Sequence, residues 1–162
     1  MAVTRTPAAQ VAAALTQLNA DYARAIDDDR LEDWPELFVE ECLYTITSAD
    51  NHRRDLPGGL VYADSRGMLR DRVRALREAN IYERQTYRHL VGLPAILGEG
   101  DRGLRTETPF LVVRIMRDGR MDLFATGRYL DVVVEDAAAL RFRERIVVCD
   151  SSRVDTLLAL PL

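Results

Sequence analysis

Two histidines, two cysteines and a set of tyrosines and carboxylates are the residues of this 162-residue chain with scope for catalysis or metal binding. His89 follows Tyr87 in a strand-like run. Placed inside a fold beside Tyr22 and Asp27, it would complete a His, Asp and Tyr proton-transfer set, because burial moves such pKa values toward working pH. The plainer reading is a core histidine whose hydrogen bonds hold the backbone, as buried polar groups usually do. That reading is the expectation here. Asp27 also reads as a helix-end acid in the run Asp27-Asp28-Asp29. His52 sits among Asp50, Arg53, Arg54 and Asp55 in a stretch expected to be an exposed loop. A non-haem iron site needs two histidines and a carboxylate in one place, which would require His52 and His89 to meet. No catalytic, cofactor-binding or metal-ligating residue is therefore assigned to the chain. Cys42 and Cys149 lie in apolar runs and are expected to be reduced core thiols, since disulfides are rare in reducing compartments.

All 22 basic residues are arginine. Without lysine there is no side-chain amine for a Schiff base and no phosphate-loop lysine, which leaves the N-terminus as the one amine. A net charge of −4 argues against nucleic-acid binding. No apolar run approaches the ~20 residues of a membrane span. Residues 1–7 do not read as a signal peptide, so a cytoplasmic location is expected. Arg66, Arg70, Arg72, Arg74 and Arg77 share one predicted helix with Asp71 and Glu78, a pattern that reads as an exposed face laced with ion pairs. Arg141, Arg143 and Arg145 fall on one face of a predicted strand. Like charges there repel unless acids oppose them, so they belong to a solvated outer face or a salt-bridged subunit contact. Leu157, Leu158, Leu160, Pro161 and Leu162 form an apolar tail that packs either on its own domain or into a neighbour.

The elements that would position these groups follow from periodicity. Thr6-Pro7 suits a helix start. Val11, Leu15, Leu18, Tyr22 and Ile26 then make one apolar stripe of about five turns. Leu31, Trp34 and Leu37 suggest a short second helix, shortened by Pro35. Residues 42–47 read as a strand and 48–60 as a loop. A third helix, capped by Asp64 or Ser65, carries Leu69, Val73, Leu76 and Asn80. Strands are expected at 85–98, 104–116, 121–134 and 140–149, with Asp118-Gly119 as a hairpin signal. Helices packed on one side of a curved, mainly antiparallel sheet make an α+β cone in a single domain, 1–162.

This order resembles the nuclear transport factor 2-like fold. Three stretches, in order and over nearly the full chain, are similar to the small (β) subunits of Rieske-type aromatic-ring-hydroxylating dioxygenases. They are Arg30-Leu31-Glu32-Asp33-Trp34-Pro35-Glu36-Leu37-Phe38, Tyr87-Arg88-His89-Leu90-Val91-Gly92 and Val154-Asp155-Thr156-Leu157-Leu158-Ala159-Leu160-Pro161-Leu162. The resemblance is to the branch acting on aromatic carboxylates such as anthranilate, salicylate or terephthalate. It implies a structural, non-catalytic subunit in an α3β3 assembly, with self-association as a trimer. The α subunit would carry the Rieske [2Fe–2S] cluster and mononuclear iron, and a separate reductase would draw on NADH or NADPH. A Rieske centre needs two Cys and two His in close pairs, a spacing this chain lacks. The same fold also houses free-standing isomerases and dehydratases, for which His89, Tyr22 and Asp27 would be the pocket set, and ligand binders without such a set.

Overall fold

The computed structural model describes residues 8–79, 84–153 and 158–162. The predicted apolar stripe becomes helix α1, Ala8–Asp27, which buries Leu15, Leu18, Tyr22 and Ile26. The Thr6-Pro7 start lies outside the described residues. Helix α1 ends in a Schellman arrangement. Asp29 takes a left-handed φ of 55°, and Arg30 N–H donates to Ala25 O at 2.9 Å. A short polar residue tolerates that conformation where glycine is the usual choice.

The second helix is a single 3-10 turn, Trp34–Leu37, rather than a helix from Leu31, because Pro35 has no N–H to give Leu31 O but fits the first turn of a helix that starts at Trp34. Strand β1 is longer than expected, Phe38–Ser48. The stretch expected as loop holds a short helix α2, Ala49–Arg53, with the Ser48 hydroxyl capping Asn51 N–H at 3.2 Å. A three-residue strand β2, Val61–Ala63, pairs antiparallel with β1. Helix α3 spans Arg66–Ala79, and Ser65 Oγ accepts from Met68 N–H at 3.3 Å. Its predicted last position, Asn80, lies outside the described residues.

The second half supplies β3 (Gln85–Val91), β4 (Ala95–Gly100), β5 (Gly103–Met116), β6 (Met121–Asp136) and β7 (Ala139–Cys149). The strand expected over 85–98 is therefore two strands. Pro94 has no N–H for a ladder, and β3 and β4 pair with different halves of β5. The sheet order is β2-β1-β7-β6-β5-β3, with β4 also on β5. Only the β1–β7 pair is parallel among these ladders. It closes the order expected for the α+β cone, with α1 lying across the concave face against β3 and β7.

One irregularity decides what faces inward. The β6–β7 register shifts between Val132 and Val133, opposite Glu144 and Phe142. The bulge places Arg143 out of register, so Phe142 and Arg145 both point into the core. Strict alternation had put Arg141, Arg143 and Arg145 on one shared face, away from Phe142. The shift overturns that expectation.

Candidate functional site

The end of α1 delivers Asp27 to the edge of the sheet, beneath β3. Along β3 the residues alternate, with Tyr87 and His89 buried and Arg88 and Leu90 exposed. His89 therefore points inward. Its backbone N–H donates to Asp27 Oδ2 at 2.8 Å, and its ring Nδ1 lies 2.6 Å from Asp27 Oδ1. One carboxylate thus satisfies an edge-strand N–H and fixes the imidazole, a means of covering an otherwise open sheet edge. The His89 side chain is 0% exposed and that of Asp27 is 3% exposed. Such a pair fixes the direction of Nε2, and both side chains are sealed from solvent. Nε2 itself is buried with no hydrogen-bond partner among the described residues.

Tyr22, the third member of the possible proton-transfer set, is engaged elsewhere. Its hydroxyl donates to the main-chain oxygen of Leu162 and lies 3.3 Å from the Tyr44 hydroxyl. Tyr44 also donates to Leu162 O at 3.0 Å and accepts from Leu162 N–H at 3.2 Å. The structure thus brings Asp27 and His89 together and recruits Tyr22 to hold the tail. Leu158, Ala159, Leu160 and Leu162 are all buried. Of the two placements open to the tail, this one is on its own core.

The centre of the cone holds a group that alternation had placed on the surface. Arg145 is fully buried and donates to both oxygens of Asp131, at 2.9 and 2.7 Å, and to Asn19 Oδ1 at 2.5 Å. Its guanidinium carbon lies 4.2, 4.0 and 3.9 Å from the ring centroids of Tyr22, Tyr129 and Phe142. Burial penalises this cation, but Asp131 outweighs the penalty and holds its pKa above the ordinary arginine value. Burial raises the Asp131 carboxyl, opposed by Arg145. Burial likewise pushes the Tyr22, Tyr44 and Tyr129 hydroxyls up. The only sequence signal was Asp131 facing Arg145 across a hairpin, and the bulge disguised it.

The α3 arginines behave as expected of an ion-paired face. Arg70 reaches Glu36 at 2.8 Å, and Arg77 reaches Asp29 at 2.7 Å and Glu32 at 2.8 Å. Arg72 instead donates to Leu158 O at 2.7 Å, tying the tail to this helix. The hydrogen bond from Arg77 lowers the Glu32 carboxyl to about 2. A depressed carboxylate adds stability above its unfolded pKa and loses it as pH falls through the folded value. We expect Glu32→Gln to cost at most ~1 kcal/mol near neutral pH, since the pair is solvent-screened. That cost should vanish in urea titrations carried from about pH 4.5 down to about 2.

Cys42 and Cys149 are both free and buried, and burial pushes each thiol up to about 11. His52 is half-buried in α2 rather than in an exposed loop, remote in sequence from the Asp27–His89 pair. A groove of about 870 Å³ opens at the far end of the sheet, and neither His89 nor Arg145 lines it.

Comparison with known proteins agrees with this architecture. The ring hydroxylating beta subunit family matches residues 21–156. A terephthalate 1,2-dioxygenase terminal oxygenase component subunit beta from Comamonas sp. is 50% identical over 91% of this chain and 96% of its own length. The anthranilate 1,2-dioxygenase small subunit of Burkholderia cepacia is 43% identical over 87% of this chain and 88% of its own. A crystal structure from Novosphingobium aromaticivorans, assigned to the aromatic-ring-hydroxylating dioxygenase beta subunits, superposes with a TM-score of 0.86. It shares 38% identity over 95% of this chain and 99% of that one. This chain belongs to the β subunits of the aromatic-ring-hydroxylating dioxygenases.

Proposed function

We propose that the chain is a structural, non-catalytic β subunit that supports assembly of a catalytic α subunit acting on aromatic carboxylates. The α subunit carries the Rieske [2Fe–2S] cluster, the mononuclear iron and the substrate pocket, and a separate reductase supplies electrons from NADH or NADPH. The complex is an α3β3 hexamer located in the cytoplasm. Relatives named for terephthalate and anthranilate oxygenation support the substrate class.

The observation that carries the non-catalytic reading is the filled cone. Where a pocket enzyme would hold its substrate, this chain holds Arg145 stacked among Tyr22, Tyr129 and Phe142. The donors available do not suit either iron centre. Both thiols are buried, His89 Nδ1 is held by Asp27, and no three His, Cys, Asp or Glu side chains cluster among the described residues.

Co-expression with the large-subunit gene tests the reading. We expect one complex in which all iron follows the large subunit, and an isolated β chain that turns over no aromatic carboxylate. Purified β chain that remains alone in the presence of the large subunit, or that binds stoichiometric iron itself, would overturn it.

A further inference from the structure

The exposed large apolar side chains collect at the two opposite edges of the sheet. On the β3–β4–β5–β6 side stand Leu90, Leu93, Ile96, Leu97, Met121 and Leu123. On the β1–β2–α3 side stand Leu56, Leu60, Tyr62 and Met68. The first edge is the more open, with Leu90, Met121 and Leu123 exposed by 62, 70 and 65%. Register places Met121 opposite Ile115 and Leu123 opposite Val113, so one outward sheet face carries a continuous apolar strip. Apolar patches of this kind on a soluble chain mark contact surfaces.

The two edges carry opposite charge. The β5–β6 turn at the first edge presents Arg117 and Arg120 beside Asp118 and Asp122, and Arg84 and Arg88 add exposed positive charge at β3, so guanidiniums outnumber carboxylates four to two there among the described residues. Arg117 has no ion-pair partner among the described residues, and Arg120 reaches Asp122 only at 3.5 Å. At the second edge lies the groove of about 870 Å³, whose walls carry six carboxylates against three guanidiniums and include Tyr62. Glu41, Asp64 and Glu135 in that groove are exposed and have no ion-pair partner among the described residues.

These surfaces cannot meet within one chain. Glu135 is near the end of β6 and Met121 at its start, so they lie ~45 Å apart along the strand at ~3.3 Å per residue. The outermost strands β2 and β3 are also five spacings apart, or ~24 Å at ~4.8 Å each. A second copy supplies the missing complement. We propose that the Arg117–Arg120 turn and apolar strip of one copy dock into the carboxylate-lined groove of the next, head to tail. Such a heterologous contact repeats around a ring, and this gives the β trimer its interface. The inference rests on the α3β3 reading above and names the surfaces that build it.

Charge reversal in the co-expressed complex tests it, with native mass as readout. Glu41→Arg with Glu135→Arg, or Arg117→Glu with Arg120→Glu, should each weaken β–β association at least tenfold. All four changes in one chain should restore it, because every contact then pairs reversed with reversed. As a direct probe, Arg117→Cys with Glu135→Cys should give β–β disulfide ladders under mild oxidation. Unchanged association in both reversed pairs, failure of the fourfold variant to recover, or cross-links running only to the large subunit would overturn the proposal. Absence of any complex with the large subunit would instead refute the functional reading, while the reversals would still report on association of the isolated β chain.

Discussion

Arg145→Leu is expected to destabilise the fold by about 3–5 kcal/mol, the usual cost of breaking a buried ion pair by removing one partner. The loss is large because Asp131 would remain buried, stripped of the two hydrogen bonds that hold it charged. Asn19 would also lose the donor to its side-chain oxygen. The three rings around the guanidinium would gain a void, adding a packing penalty that leucine only partly fills. Removing both charges is a different experiment. Asp131→Leu with Arg145→Leu exchanges the pair for apolar volume, and such replacements are often neutral or stabilising. Urea denaturation of the two single variants and the double variant therefore separates the value of the pair from the cost of an orphaned ion. A single-variant loss below ~1 kcal/mol would mean that Asp131 reaches solvent when Arg145 is gone. That would contradict a sealed cone.

Much of the frame was legible because it depends on local chemistry. The period of Leu15, Leu18, Tyr22 and Ile26 gave α1, and Asp118-Gly119 gave the β5–β6 turn, where Gly119 has a φ of +86°. Proline marked the single 3-10 turn at Pro35. What could not be read was set by non-local pairing. The parallel β1–β7 ladder joins residues about a hundred positions apart, and nothing in either strand's own pattern announces it. The β6–β7 turn runs through Ala137 and Ala138 with φ of 50° and 63°, so it lacks the glycine or asparagine that normally signals such a turn. The β7 bulge is the costliest omission, because one extra residue moved Arg145 from a presumed outer face to the centre of the core. At the candidate site, an inward His89 beside Asp27 was raised, though only within the proton-transfer alternative to a core histidine. The diversion of Tyr22 was not, because its partner is the main chain of Leu162, which no side-chain pattern encodes.

Deleting residues 158–162 is expected to produce the second large effect, a loss of about 4–8 kcal/mol. Three of the five residues are buried leucines, each contributing ~1.5–3 kcal/mol by burial, less an allowance for residual compactness of the unfolded chain. The tail also occupies the hydroxyls of Tyr22 and Tyr44, both fully buried, which would be left facing a cavity without their acceptor. Domains of this kind are stable by only ~5–15 kcal/mol, so the truncated chain should sit near its unfolding midpoint at room temperature. Near-ultraviolet circular dichroism should fall while far-ultraviolet signal persists, and a hydrophobic dye should bind. The single change Leu160→Ala should cost about 2–5 kcal/mol and leave the native spectrum in place. Comparing the two isolates the tail as a unit. If it were an arm reaching for a neighbour, the truncated chain would keep its full stability and lose only assembly with the large subunit. With Tyr22 and Tyr44 both fastened to Leu162, the fold itself should weaken first, and any loss of assembly should follow from that weakening.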